Sequence, residues 1–270
     1  MSRRLPIVQI DAFADAPFTG NPAAVVPLTE WPDDSLLQNI AMENNLSETA
    51  FFIPDERGEA DFELRWFTPA TEVELCGHAT MASGHHILSN DPARDDVSFR
   101  TRRAGLLNVA RDGERYRMAL PVWRAEAAPL DESIAALGLK RDQVSGTLRH
   151  SSGYVLIVVE DESLVSGLSP DFRKLGDVGD VATIVTAPGS DTDIVSRVFA
   201  SGAGIDEDPV TGSAHAVLVP YWAERLGRDR FTAYQASARG GYLDCALDGE
   251  RVLLTGECVT VLSGELILPE

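Results

Sequence analysis

The sequence predicts an α+β protein built from two similar, pseudo-two-fold-related halves, each a mostly antiparallel sheet holding one long helix. Three observations carry that expectation. Glu74–Ala82 (ELCGHATMA) has a counterpart in Pro209–Val217 (PVTGSAHAV), with their glycines 212 − 77 = 135 positions apart. A second pair, ARDGER ending at Arg115 and ALDGER ending at Arg251, repeats at 251 − 115 = 136. Strand-like runs surround both pairs, and two echoes at nearly one offset, half of 270 residues, point to a duplicated unit.

Taken in order, Ile7–Phe13 reads as a strand, FTGNP as a turn and Ala23–Pro27 as a second strand. Ser35–Asn44 reads as a helix because Leu36, Leu37, Ile40 and Ala41 recur at helical spacing. Thr49–Ile53 and Phe62–Phe67 are strand candidates. A helix follows Gly77, with Met81, Ala82, Ile87 and Leu88 as its apolar face. Val97–Arg103, Leu106–Arg111 and Arg115–Leu120 suit a meander whose Asp-Gly pair is a hairpin signal. Pro121–Ser133 has the turns and composition of a linker. Tyr154–Val159 and Ala182–Thr186 then read as strands, Ala214–Leu226 as a helix, and the stretch from Gly241 onward as strands. The expected halves are 1–124 and 125–270. The last strand, about 262–270, is also able to complete the first half's sheet, which leaves that boundary open.

Composition narrows the partners. Against 42 acidic residues stand 23 basic ones, a formal charge of −19, so nucleic acid and anionic membranes are disfavoured on electrostatic grounds. Three widely spaced cysteines, Cys76, Cys245 and Cys258, suggest a reducing compartment and no disulfide framework. The opening apolar run is too short for a secretory segment, and the longest one, Val155–Val159, is strand-sized. A soluble cytoplasmic protein is expected.

Each glycine-led segment would start a helix, where exposed backbone N–H groups carry the positive end of the dipole and suit an anion. Gly77, His78 and Ala79 in one half, and Gly212, Ser213 and Ala214 in the other, are therefore candidate donors to a small carboxylate. If both helix starts faced one cleft between the halves, they would also stabilise an enolate-like oxyanion. Ordinary N-cap turns are the alternative. Glu48, set among Leu46, Ala50, Phe51 and Phe52, is the candidate general acid and base. Burial among such neighbours raises a glutamate above its ordinary value of about 4.3, whereas an edge-strand or capping glutamate would have no such role. Matching Pro54 to Pro188 puts Ala182 opposite Glu48, so one carboxylate lacks a twin. That asymmetry suits a proton moved from one carbon to another. Asp208, beside Glu207, either favours the helix dipole, holds a substrate amine or hydroxyl, or orients His78, itself a candidate relay. His85, His86 and His215 have no partners at metal-ligand spacing, so no metal is assigned. No cofactor signature appears. The only lysines, Lys140 and Lys174, sit in polar surroundings, and no nucleophile elbow is present. A non-catalytic carboxylate-binding protein is the rival from another class.

IDAFADAPFTGNPAAVV, NLSETAFF, FTPATEVELCGHATMA and DEDPVTGSAHA, in this order over nearly the whole chain, resemble the phenazine biosynthesis PhzF-like family, of diaminopimelate epimerase-like fold. The resemblance implies two α+β domains, each a sheet wrapped about a central helix, with the site between them. It also implies a cofactor-independent, proton-moving isomerase that is often a homodimer. The family's catalytic glutamate falls on Glu48; its histidine, aspartate and serine partners fall on His78, Asp208 and Ser213, and its anion-binding glycines on Gly77 and Gly212. Related epimerases, racemases and dehydratases place cysteines at both helix starts. This chain has Cys76 at one and Thr211 at the other, which disfavours a two-thiol racemase. A one-thiol dehydratase or epimerase using Cys76 stays open, as does a purely packing role for that thiol.

Overall fold

The computed structural model describes residues 3–268. The chain divides into two compact units. Among the described residues, one unit holds 3–119 together with 255–268, and the other is Leu120–Leu254. This division lies a few residues from the expected 124/125 boundary. It also assigns more of the C-terminal segment to the first unit than the expected 262–270.

The first unit contains β1 (Arg3–Ala12), β2 (Asn21–Pro27), α1 (Asp34–Asn44), β3 (Glu48–Pro54), β4 (Phe62–Phe67), β5 (Glu72–Val73), α2 (Gly77–Asn90), β6 (Asp96–Thr101) and β7 (Leu106–Asp112). β8 (Arg115–Pro121) follows across the boundary. β1 is antiparallel to β2, β2 parallel to β3, β3 antiparallel to β4, and β4 parallel to β6, which continues antiparallel into β7 and β8. The central β2 and β3 carry unbroken buried runs instead of alternating ones, because helices cover both faces. On one face α1 packs Leu37, Ile40 and Ala41 against Val26, Phe51 and Phe67. On the other lies α2, buried without a break from Gly77 to Gly84. The sequence suggests an apolar stripe ending in Ile87 and Leu88; in the structure the helix is instead enclosed on all sides over its first two turns. Small residues make this fit: a Cβ on Gly84 would lie 2.5 Å from Val109 Cγ1.

The second unit contains β9 (Glu126–Ala127), α3 (Asp131–Ala136), β10 (Val144–Arg149), β11 (Tyr154–Val159), α4 (Glu162–Ser166), α5 (Phe172–Val178) and β12 (Ala182–Pro188). It continues with β13 (Ile194–Ala200), β14 (Ile205–Asp208), α6 (Gly212–Leu226), β15 (Arg230–Gln235) and β16 (Gly241–Asp248), then β17 (Arg251–Gly256) at the second boundary. Its pairing order repeats that of the first unit. β11 is parallel to β12, β12 antiparallel to β13, and β13 parallel to β15, which turns antiparallel into β16. β5 pairs antiparallel with β4 as β14 does with β13. α6 is the buried counterpart of α2, while α3, α4 and α5 cover the other face with Ile134, Leu137, Val165 and Leu175. β18 (Cys258–Leu268) returns to the first unit, antiparallel to β1 along its length.

Both Asp-Gly hairpins form, with Gly113 at φ 64° and Gly249 at φ 57° in the left-handed region such turns require. β5, β10, β13, β14, β15, α4 and α5 lie in stretches for which the sequence predicts no element, and the stretch that reads as a linker includes β9 and the start of α3.

Candidate active site

In the first unit the site forms where β3 begins and α2 begins. Glu48 is the first residue of β3, with 13% of its side chain exposed. His78 is the second residue of α2 and 3% exposed. Its Nε2 lies 3.2 Å from Glu48 Oε2. At the other ring nitrogen, Nδ1, stand Asn21 Nδ2 at 3.1 Å and Cys76 Sγ at 3.5 Å. An amide NH₂ can only donate, so Nδ1 accepts from Asn21 and the ring proton sits on Nε2, on the Glu48 side. Burial pushes His78 down to about 3, so the ring is neutral near pH 7. The contact is therefore a neutral imidazole against a carboxyl group and not an ion pair.

Cys76 occupies the N-cap position of α2, and its side chain makes no capping hydrogen bond. The next turn is closed internally, Thr80 donating to the Cys76 carbonyl from N–H at 3.2 Å and from Oγ1 at 2.6 Å. The first N–H groups, at Gly77, His78 and Ala79, keep the polarity that draws an anion.

The second unit repeats this plan with different chemistry. Thr211 is the N-cap of α6 and again makes no side-chain cap. Its Oγ1 instead donates to Asp208 Oδ2 at 2.5 Å and accepts from Gln235 Nε2 at 3.1 Å. Gln235, fully buried, also donates to the Asp208 carbonyl at 2.7 Å and accepts the Thr211 N–H at 2.9 Å. Asp208 is thus held at the end of β14, 9% exposed, one residue beyond Glu207. Gly212 and Ala214 are buried in the first turn of α6, and Ser213 between them places Oγ 2.8 Å from the Tyr154 hydroxyl. Tyr154 meets Trp123 edge-on, and Trp123 stacks on His150 at 5.1 Å.

Sequence reasoning passed over Asn21, Tyr154 and Gln235. The first two are related: each comes from the first residue of its strand, β2 or β11, and each bonds to the second residue of the site helix, His78 or Ser213. Asn21 was visible only as part of a turn, and Gln235 belongs to an unanticipated strand. Glu48 opens β3 and Ala182 opens β12, although the registers differ by two residues: Glu48 pairs with Ala23, the third residue of β2, and Ala182 with Tyr154, the first of β11.

Other candidates lie elsewhere. His215 turns Nδ1 to the Thr211 carbonyl at 2.8 Å inside α6, and burial pushes it down to about 4. His85 bonds Thr260 at 3.0 Å. Cys245 and Cys258 are thiols raised by burial. Glu48, Cys76 and His78 have donor atoms within 4.8 Å of one another. The shortest contacts are Cys76 Sγ to Nδ1 at 3.5 Å and Glu48 Oε2 to Nε2 at 3.2 Å, and the three residues form a group whose ligand atoms could hold a metal ion.

The phenazine biosynthesis-like protein (PhzC-PhzF) family model matches residues 10–264. An uncharacterized isomerase of Pseudomonas aeruginosa is 47% identical over 98% of this chain and 99% of its own length. The crystal structure of a PhzF-family phenazine biosynthesis protein from Enterococcus faecalis superposes with a TM-score of 0.90 at 42% identity, covering 99% of this chain and 100% of that one. A hydroxyproline epimerase from Agrobacterium vitis, at 12% identity and a TM-score of 0.65 over 99% of this chain and 94% of that one, shares the fold. By sequence over nearly its whole length and by fold, the chain belongs to the phenazine biosynthesis-like (PhzC-PhzF) family, as an isomerase.

Proposed function

We propose that the protein moves a proton between two carbons of a small carboxylate-bearing substrate without a cofactor, with Glu48 as both acid and base. The observation that carries this reading is the contact between Glu48, a largely buried carboxyl group, and the neutral Nε2–H face of His78, the second residue of α2. In the first step Glu48 takes an acidic C–H proton, and the bond's electron pair delocalises into the substrate as an enolate-like anion. In the second, the same carboxyl group returns the proton to another carbon. His78 steers Glu48 without adding positive charge, and the first N–H groups of α2 stabilise the developing anion. Asp208, Ser213 and the backbone of Gly212 and Ala214 serve the same substrate, binding its polar substituents. Ala182 opens β12 as Glu48 opens β3, so the second unit offers no carboxylate at the start of that strand. The homodimeric state implied by the resemblance, and the cytoplasmic location expected from the cysteines and the short apolar runs, belong to this proposal.

One observation favours a second reading. Cys76 Sγ lies 3.5 Å from His78 Nδ1, a distance at which the imidazole could accept the thiol proton and leave a thiolate base. The two readings separate in D₂O. Small carboxylates incubated with the protein are followed by NMR for replacement of C–H by C–D. Under the carboxylate reading Cys76→Ala keeps label entry within about tenfold, less than a lost general base costs. Abolished label entry in Cys76→Ala transfers the role to the thiol.

A further inference from the structure

The two units differ at the positions proposed to do chemistry: Glu48 against Ala182, Cys76 against Thr211, His78 against Ser213. They agree closely at a set of residues the proposed reaction does not use. Arg65, fourth residue of β4, donates from Nε to Glu72 Oε1 at 2.7 Å and from Nη2 to Oε2 at 2.8 Å. Arg197, fourth residue of β13, donates from Nε to Glu207 Oε1 at 2.7 Å and from Nη2 to Oε2 at 2.9 Å. Each guanidinium lies over the phenylalanine two residues on, Phe67 or Phe199, 5.0 Å from the ring centroid. The third direction of each fork ties in the outer helical layer. Arg65 Nη1 donates to Asp34 Oδ1 at 2.9 Å in the first turn of α1, and Arg197 Nη1 donates to the Leu168 carbonyl at 2.8 Å just beyond α4.

The placement gives this pair its meaning. Glu72 lies 77 − 72 = 5 residues before the first residue of α2, and Glu207 lies 212 − 207 = 5 before that of α6. Both glutamates sit on the short strand, β5 or β14, that feeds the site helix. In β14 successive side chains alternate, so holding Glu207 on one side sets Asp208 on the other. There Asp208 meets Thr211 and Gln235. A bidentate arginine–carboxylate pair fixes plane as well as distance, which a lysine cannot do.

We infer that Arg65–Glu72 and Arg197–Glu207 are matched positioning clamps that hold the segments Glu74–His78 and Asp208–Ser213 in the geometry their site residues need. The role assigned to those site residues rests on the proposed function; the clamping itself does not. The test is amide hydrogen exchange, resolved by residue, on the full-length protein and on Glu207→Gln, Arg197→Lys and Glu72→Gln. In the first two variants we expect exchange at Val210, Thr211, Gly212 and Ser213 to quicken at least tenfold, with β15 and β16 staying within twofold. The Thr211 N–H, which donates to Gln235, is the reporter. Glu72→Gln is expected to quicken Leu75–His78 in the same way. Unchanged exchange at those amides, uniform quickening across a unit, or outright unfolding would each overturn the inference, the last two because they mark a merely structural pair. Solvent-label turnover on the same variants separates the two readings: local loosening with undiminished turnover leaves the clamps standing and removes Asp208 from the proposed mechanism.

Discussion

His78 shows how one side chain can be read at two depths. Its place after Gly77 marks it in the sequence as part of a helix start, and Glu48 among aromatic neighbours stands out as a buried carboxyl group. The state of the ring depends on Asn21, 57 positions away, and on Cys76 at the N-cap, and neither contact follows from local sequence. With the Asn21 amide donating to Nδ1 and burial holding the ring down to about 3, His78 should stay neutral and Nε2-protonated throughout pH 5–8. Imidazole ¹⁵N shifts measure this directly. A titration midpoint within that window, or an Nδ1–H signal, would remove the geometry on which Glu48's steering depends. Gln235 was illegible for a related reason: a fully buried glutamine reads as surface until Asp208 and Thr211 are seen to satisfy it.

At the scale of elements, strands and helices whose burial matches their composition were legible: β4 and β11 run as expected, and α1, β3 and β8 differ by a residue or so. β13 and β15 were not. Each carries a residue that looks solvent-bound, Arg197 in IVSRVFA and Gln235 in RFTAYQ, and only the fold supplies the partners that pay for its burial. α2 raises the opposite problem, since a helix this enclosed needs small residues more than an apolar stripe. Gly84 is the tightest point, its absent Cβ facing Val109. Gly84→Val should destabilise the protein by about 1–3 kcal/mol or more through overpacking. Urea unfolding reads this as a lower midpoint at unchanged slope. An unchanged midpoint would mean that α2 and β7 are not packed as described.

For the whole molecule, duplication was the most legible feature, because an offset of 135 or 136 is written in the chain itself. The sequence also allows the last strand, about 262–270, to complete the first half's sheet, whereas the strand that pairs with β1 begins earlier, at Cys258. Acid sensitivity also belongs at this scale. Burial lowers His78 to about 3, and His85 and His215 to about 4, from an ordinary value near 6.5. Between those limits the unfolded chain binds protons that the native state refuses, so stability is fully present above about pH 6.5 and is lost as pH falls through about 4. Each histidine contributes a slope of about 1.4 kcal/mol per pH unit where only the unfolded form is protonated. Urea titrations at pH 7 and pH 5 should show a clear fall; equal stability would mean these rings are not buried and neutral.

The central claim is that one carboxyl group carries the proton. Its most direct test is the single-turnover rate of solvent-deuterium entry into a bound small carboxylate for the wild type and Glu48→Gln, with ligand affinity measured in parallel. The account predicts retained binding and a rate lower by about 10²–10⁴-fold, the usual cost of losing a general acid–base group. Label entering at the wild-type rate in Glu48→Gln would contradict it.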